Sequence, residues 1–199
     1  CAQFDGLFYG AGCGGTFRPN WNLANIENGG TYGISGMFRD LKTTKDTIID
    51  LSNCTIPKNN PVVKAAGYMF ASSPYITEIK FPENLKIGST LSWFSGCTKL
   101  SSVDMSGLDF SECTNMNSMF DSCSSLTSID VSSWNIDKVT NMSNMFGECG
   151  NLQTIIGIEN WNTSKVTNIS GMFNYCSSLT NLDLSNFKIN TSNTDNIFN

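Results

Sequence analysis

The sequence predicts an α/β repeat fold: a right-handed leucine-rich-repeat solenoid of about seven or eight coils, each of about 26 residues. Three observations predict it. A motif recurs along the chain at a nearly constant period, each copy contains a short alternating apolar pattern, and each copy continues with apolar residues at helical spacing. In such a solenoid the strands form a parallel sheet on the concave face, and the short helices lie on the convex face.

The repeat is aligned on a phenylalanine that recurs at steps of 26, 26, 27 and 25 residues. In the first four of these copies a cysteine follows three residues later, a leucine six residues later and an aliphatic residue nine residues later, and an asparagine stands five residues before the last four phenylalanines. These positions are Phe94, Phe120, Phe146, Phe173 and Phe198; Cys97, Cys123, Cys149 and Cys176; Leu100, Leu126, Leu152 and Leu179; Val103, Ile129, Ile155 and Leu182; and Asn115, Asn141, Asn168 and Asn193. So many coincident positions indicate one structural unit per copy.

Each copy contains a strand pattern and then a helix pattern. The stretch LTSIDV at 126–131 has apolar residues at alternating spacing, as in a short strand with one buried face. Further on, Val139, Met142, Met145 and Phe146 fall at i, i+3, i+6 and i+7, which predicts a short helix with one apolar face.

We expect one solenoid domain over residues 1–199. Residues 91–199 carry the regular repeats, whereas residues 1–90 carry degenerate copies with insertions, among them 40–49 and the proline-containing stretch 55–61. The chain has no initiator methionine and no signal peptide, and both ends fall inside a repeat. We therefore expect it to be excised from a longer chain.

Composition excludes several classes of function. The net charge is −5 with a pI near 4.6, so there is no basic stripe for nucleic acid. The chain has no histidine, which removes the commonest general base and metal ligand. No apolar run approaches the length of a membrane span. We expect neither an enzyme nor a cofactor.

The repeats resemble a known family. MFDSCSSLTSIDVSSWN at 119–135 and MFNYCSSLTNLDLSNFK at 172–188, with the VTNMSNMF stretch between them, are similar to the BspA-like leucine-rich-repeat surface proteins. The resemblance implies a cell-surface or secreted protein that functions in adhesion and binds macromolecules of a host or a neighbouring cell. It carries over no catalytic residue.

The cysteines raise four alternatives: a buried thiol ladder, disulfides, a metal site or a nucleophile. Four of them share one position of a stacked coil, where interior thiols have two equivalent neighbours, and no paired metal-ligand spacing exists. This pattern favours reduced, buried thiols. Cys113 occupies the position of Val139 in the next copy. Cys1 is either a lipidated terminus or a cut end, and Cys13 and Cys54 have no assignment.

The strand residues between the apolar positions are expected to face outward and to line the concave surface. A ligand patch, a calcium site and a merely solvated face are the alternatives for them, and nothing separates the environments of the carboxylates as glycosidase chemistry requires. The candidate ligand-binding residues are Ser102, Asp104, Ser128, Asp130, Thr154, Asn181 and Asp183, with Ile156 in the same column and Glu78 and Lys80 on an earlier coil.

Two other columns are expected to be structural. Trp134 and Trp161 suggest sugar stacking, but they share their position with Leu108 and Phe187, so we expect core residues. The asparagine column is expected to hydrogen-bond the turn backbone of adjacent coils.

Two functions follow as hypotheses. The first is a non-catalytic adhesion or recognition module that binds a protein or glycan through the concave face. The second is a structural spacer or appendage segment of a larger extracellular or viral assembly, whose contacts are other subunits. The monotonous Ser, Thr and Asn of the outward columns favour the spacer.

Overall fold

The computed structural model describes residues 8, 10–12, 14–20, 34–55, 62–64, 66–188 and 193–198. All strand pairs in this part of the chain are parallel. The strands are β1 (Gly15–Phe17), β2 (Thr47–Asp50), β3 (Ile76–Lys80), β4 (Leu85–Lys86), β5 (Leu108–Asp109), β6 (Ser128–Asp130) and β7 (Thr154–Ile156). They form sheets in the orders β1-β2-β3, β4-β5 and β6-β7.

The chain is a parallel β-solenoid, because every paired strand lies next to a strand of a neighbouring coil. A second ladder runs beside the strands, where isolated bridges join Ser89 to Asn115 and then continue through the asparagine column to Asn193. The predicted sheet is therefore confirmed. The seven or eight predicted coils are not supported by the strand pairing, which comprises three sheets of three, two and two strands.

The predicted convex helices are wrong. The only helix in the described residues is a 3-10 turn, Ile158–Asn160. In the stretch read as helical, Met145 N–H bonds Met142 O at 3.2 Å, whereas Met142 N–H bonds Asn168 O of the next coil at 2.9 Å. Asn144 has a φ of 52°. Left-handed residues and bonds to the next coil interrupt the i→i−4 pattern that an α-helix needs.

A stack of phenylalanine rings forms the centre of the core. Phe120 and Phe146 are fully buried, with their centroids 5.6 Å apart and their planes at 4°. The same stacked contact joins Phe8, Phe38, Phe70, Phe94, Phe120, Phe146, Phe173 and Phe198 in order. The prediction that Phe120 and Phe146 are buried between coils is confirmed.

The second aromatic column is also core, as predicted. Trp134 and Trp161 are 5% and 3% exposed, and their rings stack at 6.1 Å. Because both side chains are buried, their faces are not available to a sugar ring.

All six described cysteines are free. Cys97, Cys123 and Cys149 are fully buried, as expected of a thiol ladder, but Cys176 is only partly buried and departs from the prediction. Cys54, which had no assignment, is buried with its thiol 3.7 Å from the carbonyl oxygen of Pro19. Cys1 and Cys13 lie outside the described residues.

Candidate functional site

The predicted ligand-binding residues are all exposed. In β6, Ser128 and Asp130 flank the buried Ile129, and in β7 Thr154 lies beside the buried Ile155. The other exposed members are Ser102, Asp104, Asn181 and Asp183. Outward orientation of this column is therefore established for the described chain, and its role in binding stays a prediction.

The register shows which of these residues are neighbours. Ser128 pairs with Thr154 and Asp130 with Ile156. On an earlier coil, Asp104 forms an isolated bridge with Lys80. Within the described residues no backbone bridge joins Asp104 to β6, although Asp130 is near enough for its charge to act on Asp104. Asn181 and Asp183 lie outside the strands.

The aspartates of this column serve a structural purpose that the prediction missed. Asp104 Oδ1 accepts hydrogen bonds from the N–H of Ser106 at 3.0 Å and from its hydroxyl at 2.7 Å. Asp130 does the same with Ser132, at 2.9 and 2.6 Å. These are Asx turns that close the bend after each strand. The recurring Asp-x-Ser spacing is the sequence signal that reveals them.

The same bonds set the charge state of the column. They hold the pKa of Asp104 below its ordinary value, first through the Ser106 backbone N–H and then through its hydroxyl, although the nearby Asp130 opposes the shift. The pKa of Asp130 is lowered by the Ser132 hydroxyl and backbone N–H. Both carboxylates are therefore ionised at neutral pH.

A groove of about 680 Å³ opens on this face. Two consecutive coils line it, one through residues 78–84 and the other through residues 102–109, and Ser52 also contributes to the lining. Of the predicted site residues it brings together Ser102 and Asp104, with Glu78 and Lys80 from the earlier coil. Ser128, Asp130, Thr154, Asn181 and Asp183 lie outside its lining.

A one-residue insertion explains the position of the groove. Lys80 pairs with Asp104, and Leu85 pairs with Leu108, so four residues on one coil lie opposite three on the next. The extra residue lies in the stretch 81–84. There Phe81 packs inward on Trp93 at 5.6 Å, whereas Glu83 and Asn84 are exposed. The chain bulges outward at this point, as at a β-bulge.

The groove is acidic. Its lining has four carboxylates, from Glu78, Glu83, Asp104 and Asp109, and one cation, Lys80. Lys80 already forms an ion pair with Glu78 at 3.1 Å. The pKa of Asp109 is lowered chiefly by the Ser111 hydroxyl, so this carboxylate is also ionised. Among the described residues no three His, Cys, Asp or Glu side chains come together as metal ligands.

The asparagine column lies on another side of the coil and differs from the prediction in detail. The side-chain oxygens of Asn115, Asn141 and Asn168 accept the N–H two residues later in their own coil, at 2.9, 3.0 and 3.0 Å. Their backbones, rather than their side chains, join adjacent coils. Asn193 follows the prediction, since its amide lies 3.5 Å from Thr167 O of the preceding coil.

Comparison with known families identifies the repeats. Residues 84–199 match the family described as "Mycoplasma protein of unknown function, DUF285". This is more than half of the chain. The chain belongs to this family. The DUF285 match spans the regular repeats on which the resemblance to the BspA-like proteins rests.

Among solved structures, the crystal structure of a leucine-rich-repeat protein of T. pallidum is similar over 92% of this chain and 87% of that chain, at 14% identity and a TM-score of 0.47. No curated protein matches the chain. In the described part of the chain, no helix has the length and hydrophobicity needed to cross a membrane.

Proposed function

We propose that this DUF285 chain is a non-catalytic recognition module at the cell surface or secreted, which binds a protein or glycan of a host or neighbouring cell through its strand face. The observation that carries the proposal is the groove of about 680 Å³, because it lies on the same exposed face as the outward column. Its volume falls in the range typical of ligand sites.

The rigidity of the scaffold supports this proposal. The groove residues lie in or beside strands whose inward side chains are buried, such as Ile79 at 1% exposed. Asp104 and Asp109 are held by Asx-turn bonds. A surface that is ordered before binding loses little conformational entropy when a partner docks.

The electrostatics favour binding over catalysis. Hydrolysis by a carboxylate pair needs one carboxyl group whose pKa is raised so that it can act as an acid. The pKa values of Asp104 and Asp109 are both lowered by their serine partners. The groove aspartates therefore supply negative charge and not a general acid.

The stacked rings support a finer description of the fold. We propose that each of the eight phenylalanines marks one coil, since neighbouring centroids lie between 5.0 and 6.0 Å apart. This distance is close to the spacing of neighbouring strands. A right-handed path of the coils is the usual choice for parallel strands.

A structural spacer is the second candidate, and one observation favours it. The aspartates of the outward column form turns within their own coils, as with Asp130 and Ser132. Much of the polarity that suggests recognition thus has a local structural use. In a spacer the contacts would be other subunits of an extracellular or viral assembly.

An array experiment separates the two functions. The parent protein, a Ser102→Arg/Ser128→Arg variant and a Lys138→Glu variant are applied to arrays of purified extracellular proteins and glycans. Ser102 and Ser128 are exposed on the strand face and cap no turn, whereas Lys138 lies outside the strands and pairs with Glu112 at 2.7 Å.

The recognition proposal expects a bound partner whose binding falls at least about tenfold in the arginine variant and is unchanged in Lys138→Glu. A partner lost equally from both variants would show that the strand face is not the site. An array without any bound partner would favour the spacer.

A further inference from the structure

We propose that the groove binds an extended, lysine- or arginine-rich polypeptide segment of the partner, an inference that rests on the proposed recognition function and specifies its ligand. The groove, its charge and its main-chain geometry each contribute to this choice.

The shape of the groove suits an extended chain. Its two walls are parallel stretches of consecutive coils, residues 78–84 and 102–109, and they lie on the exposed strand face. The backbones of the two walls are joined on either side of the bulge, where Lys80 is bridged to Asp104 and Leu85 pairs with Leu108. A peptide can therefore lie over this paired backbone, against the outward side chains of both coils, without displacing a strand.

The charge of the groove selects a cationic occupant. Four carboxylates line it, and its only lysine, Lys80, is bound to Glu78 at 3.1 Å. The net charge of the whole chain is −5, so a basic partner is also attracted at longer range. Lysine and arginine side chains carry the complementary charge on long, flexible stems.

The distribution of the carboxylates favours several cationic side chains over a single ion. Glu78 and Glu83 lie on one wall, and Asp104 and Asp109 on the other. No three of them converge as metal ligands within the described residues. Charges spread over two coils are matched by side chains that are themselves spaced along a chain.

The aspartates are also oriented in advance. Both bonds from Ser106 reach Oδ1 of Asp104, and the N–H of Ser111 reaches Oδ1 of Asp109 at 2.9 Å. The second carboxylate oxygen, Oδ2, is not used in these bonds and can accept from a lysine or arginine. Since the carboxylates are already fixed, less entropy is lost on binding.

The aromatic lining argues against a glycan in this groove. Phe81 is the aromatic residue of the lining, and its ring stacks on Trp93 at 5.6 Å with an interplanar angle of 19°. It is half-buried and faces the core, so it offers no platform for a sugar ring. A polypeptide partner needs no such platform.

The test uses fluorescein-labelled hexalysine as the probe, and fluorescence anisotropy as the measurement. The groove variant is Glu78→Gln/Glu83→Gln/Asp104→Asn, in which asparagine retains the turn-closing acceptor of Asp104. The control variant is Asp137→Asn/Glu159→Gln/Asp195→Asn, which lies outside the groove lining. Each variant removes three negative charges, so both have a net charge of −5 + 3 = −2.

We expect hexalysine to bind the parent with an affinity that falls as salt rises, and to bind the groove variant about tenfold more weakly. The control variant should stay within about twofold of the parent. Thermal melts of the three proteins establish that each is folded. Labelled hexaglutamate should not bind.

Several outcomes would overturn the inference. The first is that hexalysine does not bind the parent, and the second is that it loses equal affinity for the groove variant and the control variant. The third is that spermine, added at the same concentration of positive charge, displaces hexalysine completely, which would indicate a site for small polyamines. If hexalysine does not bind the parent, but a partner found on the array binds the parent and no longer binds the Ser102→Arg/Ser128→Arg variant, the recognition function stands. Only the proposal of a basic peptide as the ligand is then wrong.

Discussion

The thiol of Cys123 donates a hydrogen bond to the backbone carbonyl oxygen of Phe94, on the preceding coil, at 3.2 Å. The same bond joins Cys97 to Phe70, Cys149 to Phe120 and Cys176 to Phe146. On an earlier coil a serine replaces the cysteine, and the hydroxyl of Ser73 reaches Phe38 O at 2.8 Å. This position therefore requires a small donor to the neighbouring coil, which explains why both residue types occupy it.

The first prediction concerns the reactivity of this ladder. Burial raises the pKa of the Cys97 thiol to about 12, whereas it raises the pKa of the partly exposed Cys176 thiol only to about 11. Because the thiolate is the reactive species, iodoacetamide should modify Cys176 before Cys97, Cys123 and Cys149 in native protein. Mass spectrometry of labelled peptides measures the order, and denaturant should expose all four. Early labelling of Cys123, or a disulfide between ladder cysteines, would contradict the structure.

The second prediction follows from the serine at the equivalent position. Cys123→Ser retains a donor to Phe94 O, so we expect it to change the free energy of unfolding by less than about 1 kcal/mol. Cys123→Ala loses both the donor and buried volume and should cost about 1–3 kcal/mol. Urea unfolding compares the two variants. Neither should alter partner binding, and a serine variant less stable than the alanine variant would show that the bond is not needed.

The third prediction concerns the ring stack. Phe146 is fully buried between Phe120 at 5.6 Å and Phe173 at 6.0 Å. Phe146→Ala should lower the free energy of unfolding by about 3–5 kcal/mol. The matched control is Phe198→Ala at the end of the stack, where the residue is 60% exposed and the cost should be below about 1 kcal/mol. A thermal melt of Phe146→Ala that matches the parent would show that the register is wrong.

The register of the core could be predicted from the sequence because equivalent positions of successive repeats carry the same type of residue. A position that is apolar in every copy, such as that of Ile129 and Ile155, has the same environment in every coil. The absence of helices could not be predicted in the same way. Apolar residues at i, i+3 and i+7 suit a helix, but they also suit turns with left-handed residues, such as Ser118 and Asn144. A glycine occupies the left-handed position in the next copy, at Gly171, but the serine and asparagine of the other copies are not by themselves a signal of positive φ.

The candidate site was only partly predictable. Outward orientation follows from strand alternation, which gave Ser102 and Asp104 correctly. The groove depends on an insertion in the stretch 81–84, and its effect appears only when Leu85 is paired with Leu108. A degenerate copy hides such an insertion, because the flanking residues no longer fix the alignment.

The fourth prediction tests the structural use of Asp104. Asp104→Asn keeps the oxygen that Ser106 needs, so it should be nearly as stable as the parent, whereas Asp104→Ala should be less stable. The pKa of Asp104 is lowered in the folded protein. Its stabilisation is therefore present above the ordinary pKa of 3.8 and is lost as pH falls through the lower folded value. The urea midpoint of the parent should exceed that of Asp104→Ala at pH 7, and this difference in midpoint should be smaller at pH 3.

The turn closed by Asp104 determines which substitution can test its role in binding. Reversal to lysine at Asp104 removes the turn acceptor as well as the charge, so a loss of binding would have two causes. An asparagine variant separates them. If Asp104→Asn is as unstable as Asp104→Ala, the negative charge and not the hydrogen bond stabilises the turn.

The fifth prediction concerns Asp121, whose pKa is raised to about 6 by burial and then by the neighbouring Glu148, against a hydrogen bond with Ser95. The Glu148 carboxylate itself accepts from the Ser122 hydroxyl at 3.0 Å. Because the folded pKa lies above the unfolded value of 3.8, this carboxyl group stabilises the fold fully below that value. The contribution is lost as pH rises through about 6.

Asp121→Asn should therefore raise the urea midpoint at pH 7 and flatten its pH dependence between about pH 4 and pH 6. Glu148→Gln should have a smaller effect in the same direction, since it removes the repulsion but not the burial. The two changes should not be additive when combined. The prediction would be contradicted if the urea midpoint of the parent rose between pH 5 and pH 7 and the midpoint of Asp121→Asn changed with pH in the same way.

The last prediction concerns an extra residue that follows β7, since Asp130 pairs with Ile156, 26 residues later, whereas Asn141 is bridged to Asn168, 27 residues later. Gly157 has a φ of 89° and precedes the 3-10 turn Ile158–Asn160. A Cβ at this position would lie 2.7 Å from the backbone nitrogen of Ser132 on the preceding coil and 2.6 Å from its Cβ. Only glycine has both the conformation and the space, so Gly157→Ala should cost about 2 kcal/mol or more. Gly150→Ala is the matched control, because a Cβ there would meet no atom closer than 3.8 Å and the φ of Gly150 is not in the left-handed region. Urea unfolding should show a large loss for Gly157→Ala and little change for Gly150→Ala. Equal stabilities would mean that the extra residue of this coil is accommodated elsewhere, and that the close approach of Gly157 to Ser132 does not hold these coils in register.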